Sequence, residues 1–256
     1  MKDSEIEILK EPDELKPFAI IYKPAGLASA PLTCNDSDNA FCKVAKLFPQ
    51  MLQVKGKKEI EHGLIHRLDT ATSGLMIIAS TQECYDFLIQ EQKEDRIIKK
   101  YNALCDITNI QLDGFPKSPL DITNNLREGN VYKIVSYFRP FGPGRKQVRP
   151  VTDDCGKAAI EKIGKQVLYT TNILIKKIDT KNKTANVECS ITNGYRHQVR
   201  CHLAWCGLPV KNDIIYNPNN FEQNKSAETM KFCATSIQFE YPRGDLNSYD
   251  RKDTWT

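Results

Sequence analysis

No apolar stretch in this sequence is long enough to cross a bilayer: the best run, Leu75-Met76-Ile77-Ile78-Ala79, falls far short of the ~18 residues that a membrane helix needs. No pair of its nine cysteines forms a C-x-x-C, so zinc ribbons and thioredoxin-type redox motifs are excluded, and Cys201, His202 and Cys206 lack a fourth metal ligand at a recognisable spacing. The N-terminus, MKDSEIEILKEPDELK, carries too many acids for a secretory or transit peptide. Reduced thiols in a cytoplasmic compartment are the expectation. A Gly-rich phosphate loop and a dinucleotide fingerprint are missing too.

What is present fits a globular protein: 256 residues, 40% hydrophobic and 27% charged, with 36 Lys+Arg against 32 Asp+Glu for a net charge of +4. The small basic excess hints weakly at a polyanionic partner. Basic residues concentrate at Lys99-Lys100, from Arg139 to Arg149, and at Arg196 and Arg200.

After a charged leader (1–16), Phe18 to Tyr22 reads as a buried strand broken by Lys23-Pro24-Ala25-Gly26. Asp36 or Ser37 can cap a helix whose apolar face is Ala40, Phe41, Val44, Ala45 and Phe48, stopped by Pro49. The Lys-rich stretch 50–62 reads as a mobile loop. Gly74 to Ala79 suits a central strand, and Ser80 with Glu83 is a capping-box start for a helix to about Gln92. Ile97 to Ile107 is a further strand. Across the basic region 108–156, prolines and glycines interrupt every period except Val131 to Tyr137, which predicts loops around one or two strands. Ala185, Val187, Cys189 and Ile191 alternate with polar residues and, with the apolar segment Val167 to Ile178, predict a hairpin. Arg196 to Cys206 reads as a short helix ended by Gly207 and Pro209, and Ile237, Phe239 and Tyr241 mark a late strand. Helices and strands do not alternate strictly, so the class is α+β.

The window from Leu64 to Leu75 sets an acid, an arginine, an imidazole and three hydroxyls just before a buried strand. On composition alone it is a loop whose Asp69 and hydroxyls satisfy backbone N–H groups. A kinase-type loop would need Asp directly after Arg and an Asn five positions beyond.

Here the chain resembles the RluA-type pseudouridine synthases, whose signature is His-Arg-Leu-Asp, two variable residues, Thr-Ser-Gly and an apolar strand: His66-Arg67-Leu68-Asp69, then Thr72-Ser73-Gly74. Three further blocks follow the family's order: Tyr22 to Leu27, Lys100-Tyr101-Asn102-Ala103, and His197 to Ala204 followed by Gly207 to Asp213. The resemblance implies one catalytic domain over 1–256, a mixed, largely antiparallel sheet with flanking helices, and a basic central cleft. It implies isomerisation of uridine to pseudouridine in ribosomal or transfer RNA by a monomer, without cofactor or metal.

By the same resemblance Asp69 is the catalytic nucleophile and Arg200 its positively charged partner. Tyr101 lies against the target base; an ordinary phenol is a sluggish base at neutral pH, so stacking is its safer role and proton transfer the riskier one. Val199 packs under the uracil, and Arg67 fills the gap left when the base is flipped out. His66 orients the loop, Lys23 contributes to substrate binding, and Arg196, one turn before Arg200, reinforces the pair or holds a phosphate. Two departures stand out: Gly194-Tyr195-Arg196 where the family has Gly-Arg-Thr, and Cys233-Ala234 where relatives often show His-Ala. The rival readings are an RNA-binding or RNA-remodelling protein on the same fold without turnover, and an RNA hydrolase.

Overall fold

The computed structural model describes residues 5–118, 120, 125–220, 228–253 and 255. Within them the first elements are β1 (Glu7–Lys10), β2 (Phe18–Lys23), α1 (Ala40–Ala45), β3 (Ser73–Ala79), α2 (Gln82–Lys93) and β4 (Ile98–Asp106). Then follow β5 (Val131–Phe141), β6 (Gln147–Val151), α3 (Lys157–Ile160), β7 (Tyr169–Asp179), β8 (Thr184–Ile191), α4 (Gln198–Trp205), β9 (Phe232–Glu240) and β10 (Leu246–Asp250). Two compact units divide the chain, Met1–Lys99 with Cys233–Asp253, and Lys100–Phe232 with Thr254–Thr256, the divisions falling inside β4 and β9.

In the first unit the strand order is β1-β2-β3-β9-β10, antiparallel except for the short parallel pairing of β3 with β9. All seven residues of β3 are buried, because the strand is central and covered on both faces. Its core joins Phe18, Ile20, Leu75, Ile77, Leu88, Ile237 and Phe239, each fully buried apolar side chain contributing about 1.5–3 kcal/mol. Helix α2 packs on β3 through Cys84, Tyr85 and Leu88.

Several local expectations shift by a residue or more. Asn39, not Asp36 or Ser37, caps α1, its side chain accepting from Cys42 N at 2.9 Å and donating to the Asp36 carbonyl at 3.0 Å. Thr81 rather than Ser80 caps α2. The stretch 50–62 is not a plain loop: 3-10 turns at Pro49–Gln53 and Glu59–Glu61 bury Met51 and leave Val54 at 2% exposure, two apolar residues that the surrounding lysines obscure. The leader contains the edge strand β1, whose four residues lie among the glutamates Glu5, Glu7 and Glu11 and are too few to give a strand signal; residues 1–4 lie outside the described residues.

Gly74 decides the parallel pairing. Its φ is +134°, and a Cβ there would lie 2.4 Å from the backbone N and O of Ala234. Gly74→Ala therefore combines overpacking with backbone strain, each about 1–3 kcal/mol. Urea unfolding should show at least about 2 kcal/mol lost; a loss below about 0.5 kcal/mol would mean that β3 and β9 part readily.

In the second unit the order is β4-β8-β7-β5-β6, with β7 and β8 forming the expected hairpin. The 108–156 region supplies two strands, β5 and β6, paired from Tyr137↔Val151 to Phe141↔Gln147; Pro119 and residues 121–124 of that region lie outside the described residues. Helix α4 packs against β6 and β7, and all eight of its residues are buried. The departure at Tyr195 is explained by packing: its ring stacks on Phe138 at 5.0 Å and 4°, and Phe138 also meets the His202 ring at 4.9 Å.

Candidate active site

Asp69, His66, Arg67 and Lys23 belong to the first unit, and Tyr101, Val199, Arg196 and Arg200 to the second.

Asp69 is half-buried at the head of the turn that leads into β3, with its carbonyl accepting from Thr72 N at 3.0 Å. The loop that follows β2 clips this turn from two sides. Ser29 Oγ donates to the Leu68 carbonyl at 2.7 Å and accepts from Leu68 N at 3.0 Å, while Gly26 N donates to the Thr70 carbonyl at 2.8 Å. Backbone on either side of Asp69 is thus tied down, which orients a carboxylate that would otherwise sit on a free loop. Ser29 carried no signal in the sequence, because a lone serine reads as surface.

Lys23 is fully buried beneath the same loop. Its Nζ donates to the carbonyls of Leu27 at 2.7 Å, Pro24 at 3.0 Å and Thr70 at 3.3 Å. Burial pulls its ammonium down to about 8, against the opposite pull of the Asp69 charge. So enclosed, the side chain holds the Asp69 loop together and places a positive charge beneath it.

The His66 Nε2 is buried and finds no hydrogen-bond partner among the described residues. Burial, with the charge of Lys99 adding to it, pushes the imidazole down to about 3, so the ring is neutral at pH 7. Arg67 reaches into solvent with its side chain 55% exposed and pairs with Glu61 at 2.9 Å, an exposed contact worth at most about 1 kcal/mol and easily exchanged for a phosphate. Cys233, opposite Ser73 in the β3–β9 pairing, is fully buried with Sγ 3.9 Å from the Tyr22 hydroxyl, and burial pushes its thiol up.

Lys99 is 3% exposed, and burial pulls its ammonium down to about 8, the Asp95 charge offsetting only part of the effect. The unfolded chain keeps this proton to about 10.5. Between the two values the unfolded state binds more protons, so stability rises with pH across that window and the penalty is full below about 8. Lys99→Met should therefore raise the stability at pH 7 by on the order of 1–3 kcal/mol and flatten the alkaline rise. A lower Tm at pH 7 would contradict this.

In the second unit Arg200 lies on α4 at 3% exposure and forks onto Asp213, with Nε to Oδ2 at 2.7 Å and Nη2 to Oδ1 at 2.8 Å. Asp213 Oδ1 also accepts from Ile215 N at 2.9 Å and Tyr216 N at 3.2 Å. The guanidinium lies 5.3 Å from the centre of the Tyr216 ring, whose hydroxyl accepts from Val148 N at 3.0 Å and meets His197 Nδ1 at 3.0 Å. Asp213 was not singled out from sequence, since thirteen residues and a helix end separate it from Arg200.

Arg196 is not one turn earlier on the same helix. His197 takes φ +58°, α4 starts at Gln198, and Arg196 precedes it, donating to the carbonyls of Gln147 at 3.1 Å and Arg145. Tyr101, 7% exposed on β4, stacks on Phe232 at 5.2 Å and 9°, and Val199 is 4% exposed. Both His202 nitrogens are taken by hydroxyls, Ser136 and Thr171, each at 2.9 Å, and burial holds the ring neutral at pH 7.

The basic stretch 139–149 is less available than its sequence suggests. Arg149 is 4% exposed between the Phe115 and Phe141 rings and donates to the Asp113 carbonyl at 2.7 Å, leaving Arg145 and Lys146 as its exposed cations.

Among solved structures the chain is similar to human RNA pseudouridylate synthase domain containing 1, with a TM-score of 0.66 at 16% identity over 99% of this chain and 85% of that one. Human RNA pseudouridylate synthase domain containing 4 gives 0.58 at 17%, over 96% and 88%. The fold is therefore the α+β fold of pseudouridylate synthase domains, with a mixed, mostly antiparallel arrangement of strands. The family model for RNA pseudouridylate synthase matches residues 17–205, and the chain belongs to that family, in its RluA-type branch. Its relatives include RNA pseudouridine synthase 7 of Oryza sativa subsp. japonica, 29% identical over 200 residues covering 76% of this chain and 44% of that protein. Ribosomal large subunit pseudouridine synthase D of Buchnera aphidicola is 26% identical over 214 residues, covering 81% and 55%. The chain spans about half the length of these two relatives.

Proposed function

We propose that the protein converts uridine to pseudouridine in structured RNA, ribosomal or transfer, with residues 1–256 acting as one catalytic domain. The observation that carries this reading is Asp69 at the His-Arg-Leu-Asp signature, in a turn clipped by Ser29, Gly26 and Lys23.

The reaction is an isomerisation. The bond from C1′ to N1 of uracil breaks, the base rotates, C1′ joins C5, the C5 proton leaves, and N1 gains one. No electrons or groups enter or leave, so the side chains only steer charge and position. Asp69 supplies the nucleophile that lets uracil depart. Arg200 supplies positive charge, Tyr101 and Val199 hold the base by stacking and packing, and Arg67 trades its exposed Glu61 contact for the space left by the flipped nucleotide. His66, neutral at pH 7, orients the loop.

Purified protein incubated with RNA carrying tritium at C5 of uracil should release tritium to water while the RNA keeps its length. Binding without release would favour an RNA-binding protein, and shortened RNA or free uracil would favour a hydrolase.

A further inference from the structure

The charges are unequally divided. Lys100–Phe232 carries 20 Lys and Arg against 12 Asp and Glu, whereas Met1–Lys99 with Cys233–Asp253 carries 16 against 20. A net charge of +4 thus hides a basic half and an acidic half.

Within the basic half, four lysines fall in eight residues at the end of the β7–β8 hairpin: Lys176, Lys177, Lys181 and Lys183. All four are exposed, and among the described residues no ion pair with a carboxylate holds any of them. A bulge between Ile175 and Lys177 breaks the alternation of the strand, so that Lys176 and Lys177 are exposed in succession where regular pleating would bury one. The two acids nearby are engaged by backbone donors: Asp179 Oδ1 accepts from Asn182 N at 3.0 Å, and Glu128 Oε1 accepts from Ile178 N at 2.8 Å. The hairpin is also anchored, with Ile107 N donating to the Lys183 carbonyl and Gly129 N to the Ile175 carbonyl, both at 2.8 Å. Acids bonded to backbone and lysines open to solvent, on a fixed two-stranded support, make a concentrated positive surface.

We propose that this hairpin end is a docking surface for RNA phosphates, separate from the residues assigned to the reaction. Its identification as an RNA surface rests on the proposed function, and its chemistry is the displacement of counterions from a phosphate backbone by solvent-exposed lysines.

The test is a variant with Lys176→Gln, Lys177→Gln, Lys181→Gln and Lys183→Gln, beside the same four positions changed to Arg. Exposed hairpin positions tolerate both sets, and circular dichroism checks the fold. Binding to an in vitro transcribed ribosomal RNA stem-loop fragment is titrated across salt. Each phosphate contact is worth about 0.7–0.9 of log–log slope, so with four contacts removed the Gln variant should lose about 3 units of slope and about tenfold or more in affinity at ~0.15 M salt. The Arg variant should keep both. Unchanged affinity and slope in the Gln variant would overturn the proposal, as would lysine-dependent binding to phosphatidylserine-containing vesicles but not to RNA. Tritium release by the unaltered protein is scored separately: without release the activity reading falls, while a lysine-dependent salt slope still upholds the surface.

Discussion

Asp69→Asn should lower tritium release from RNA at least about 10³-fold while the protein stays folded and still binds RNA. The amide keeps the shape of the side chain, and the bonds that the flanking backbone makes with Ser29, Gly26 and Lys23 are untouched by the change. Loss confined to the chemical step is therefore expected, seen as a fall in kcat with little change in RNA affinity. Turnover within about tenfold of the unaltered protein would remove Asp69 from the role of nucleophile.

Asp213→Ala should cost about 3–5 kcal/mol of stability, because it leaves the Arg200 guanidinium buried without its forked partner. It also strips Ile215 N and Tyr216 N of their acceptor. Chemical denaturation measures the loss directly. The double variant Arg200→Met with Asp213→Leu should be more stable than Asp213→Ala alone, since neither end of the fork then remains without the other. A loss below about 1 kcal/mol for Asp213→Ala would show that the pair is not the support described.

The chemistry-bearing window was legible because polar groups at the mouth of a buried strand are unusual and because His66-Arg67-Leu68-Asp69 is a specific word. β3 and the β7–β8 hairpin were legible for a simpler reason. A continuous apolar run and a clean alternation each fit one secondary structure. The caps were placed one to three residues early, since Asn39 and Thr81 compete with neighbouring Asp, Ser and Thr residues that suit a cap equally well until backbone angles are known. The helix before Arg200 was extended too far because nothing in the residue pattern marks His197 as left-handed.

By itself the sequence determined the family, the strand that Asp69 precedes, the α+β class and the candidate residues for the reaction. These depend on identity and on periodicity along the chain. Tertiary structure alone decided what each charge does. Lys23 and Lys99 are chemically alike in sequence with the hairpin lysines, yet the first two are buried and lose much of their affinity for a proton, while Lys176, Lys177, Lys181 and Lys183 face water. Arg149 lies between aromatic rings, Arg196 ties down a turn, and Arg200 is forked by Asp213. The physical reason is that a charge acts through its surroundings, through desolvation and neighbours brought close by folding, and neither is encoded in the spacing of residues along the chain.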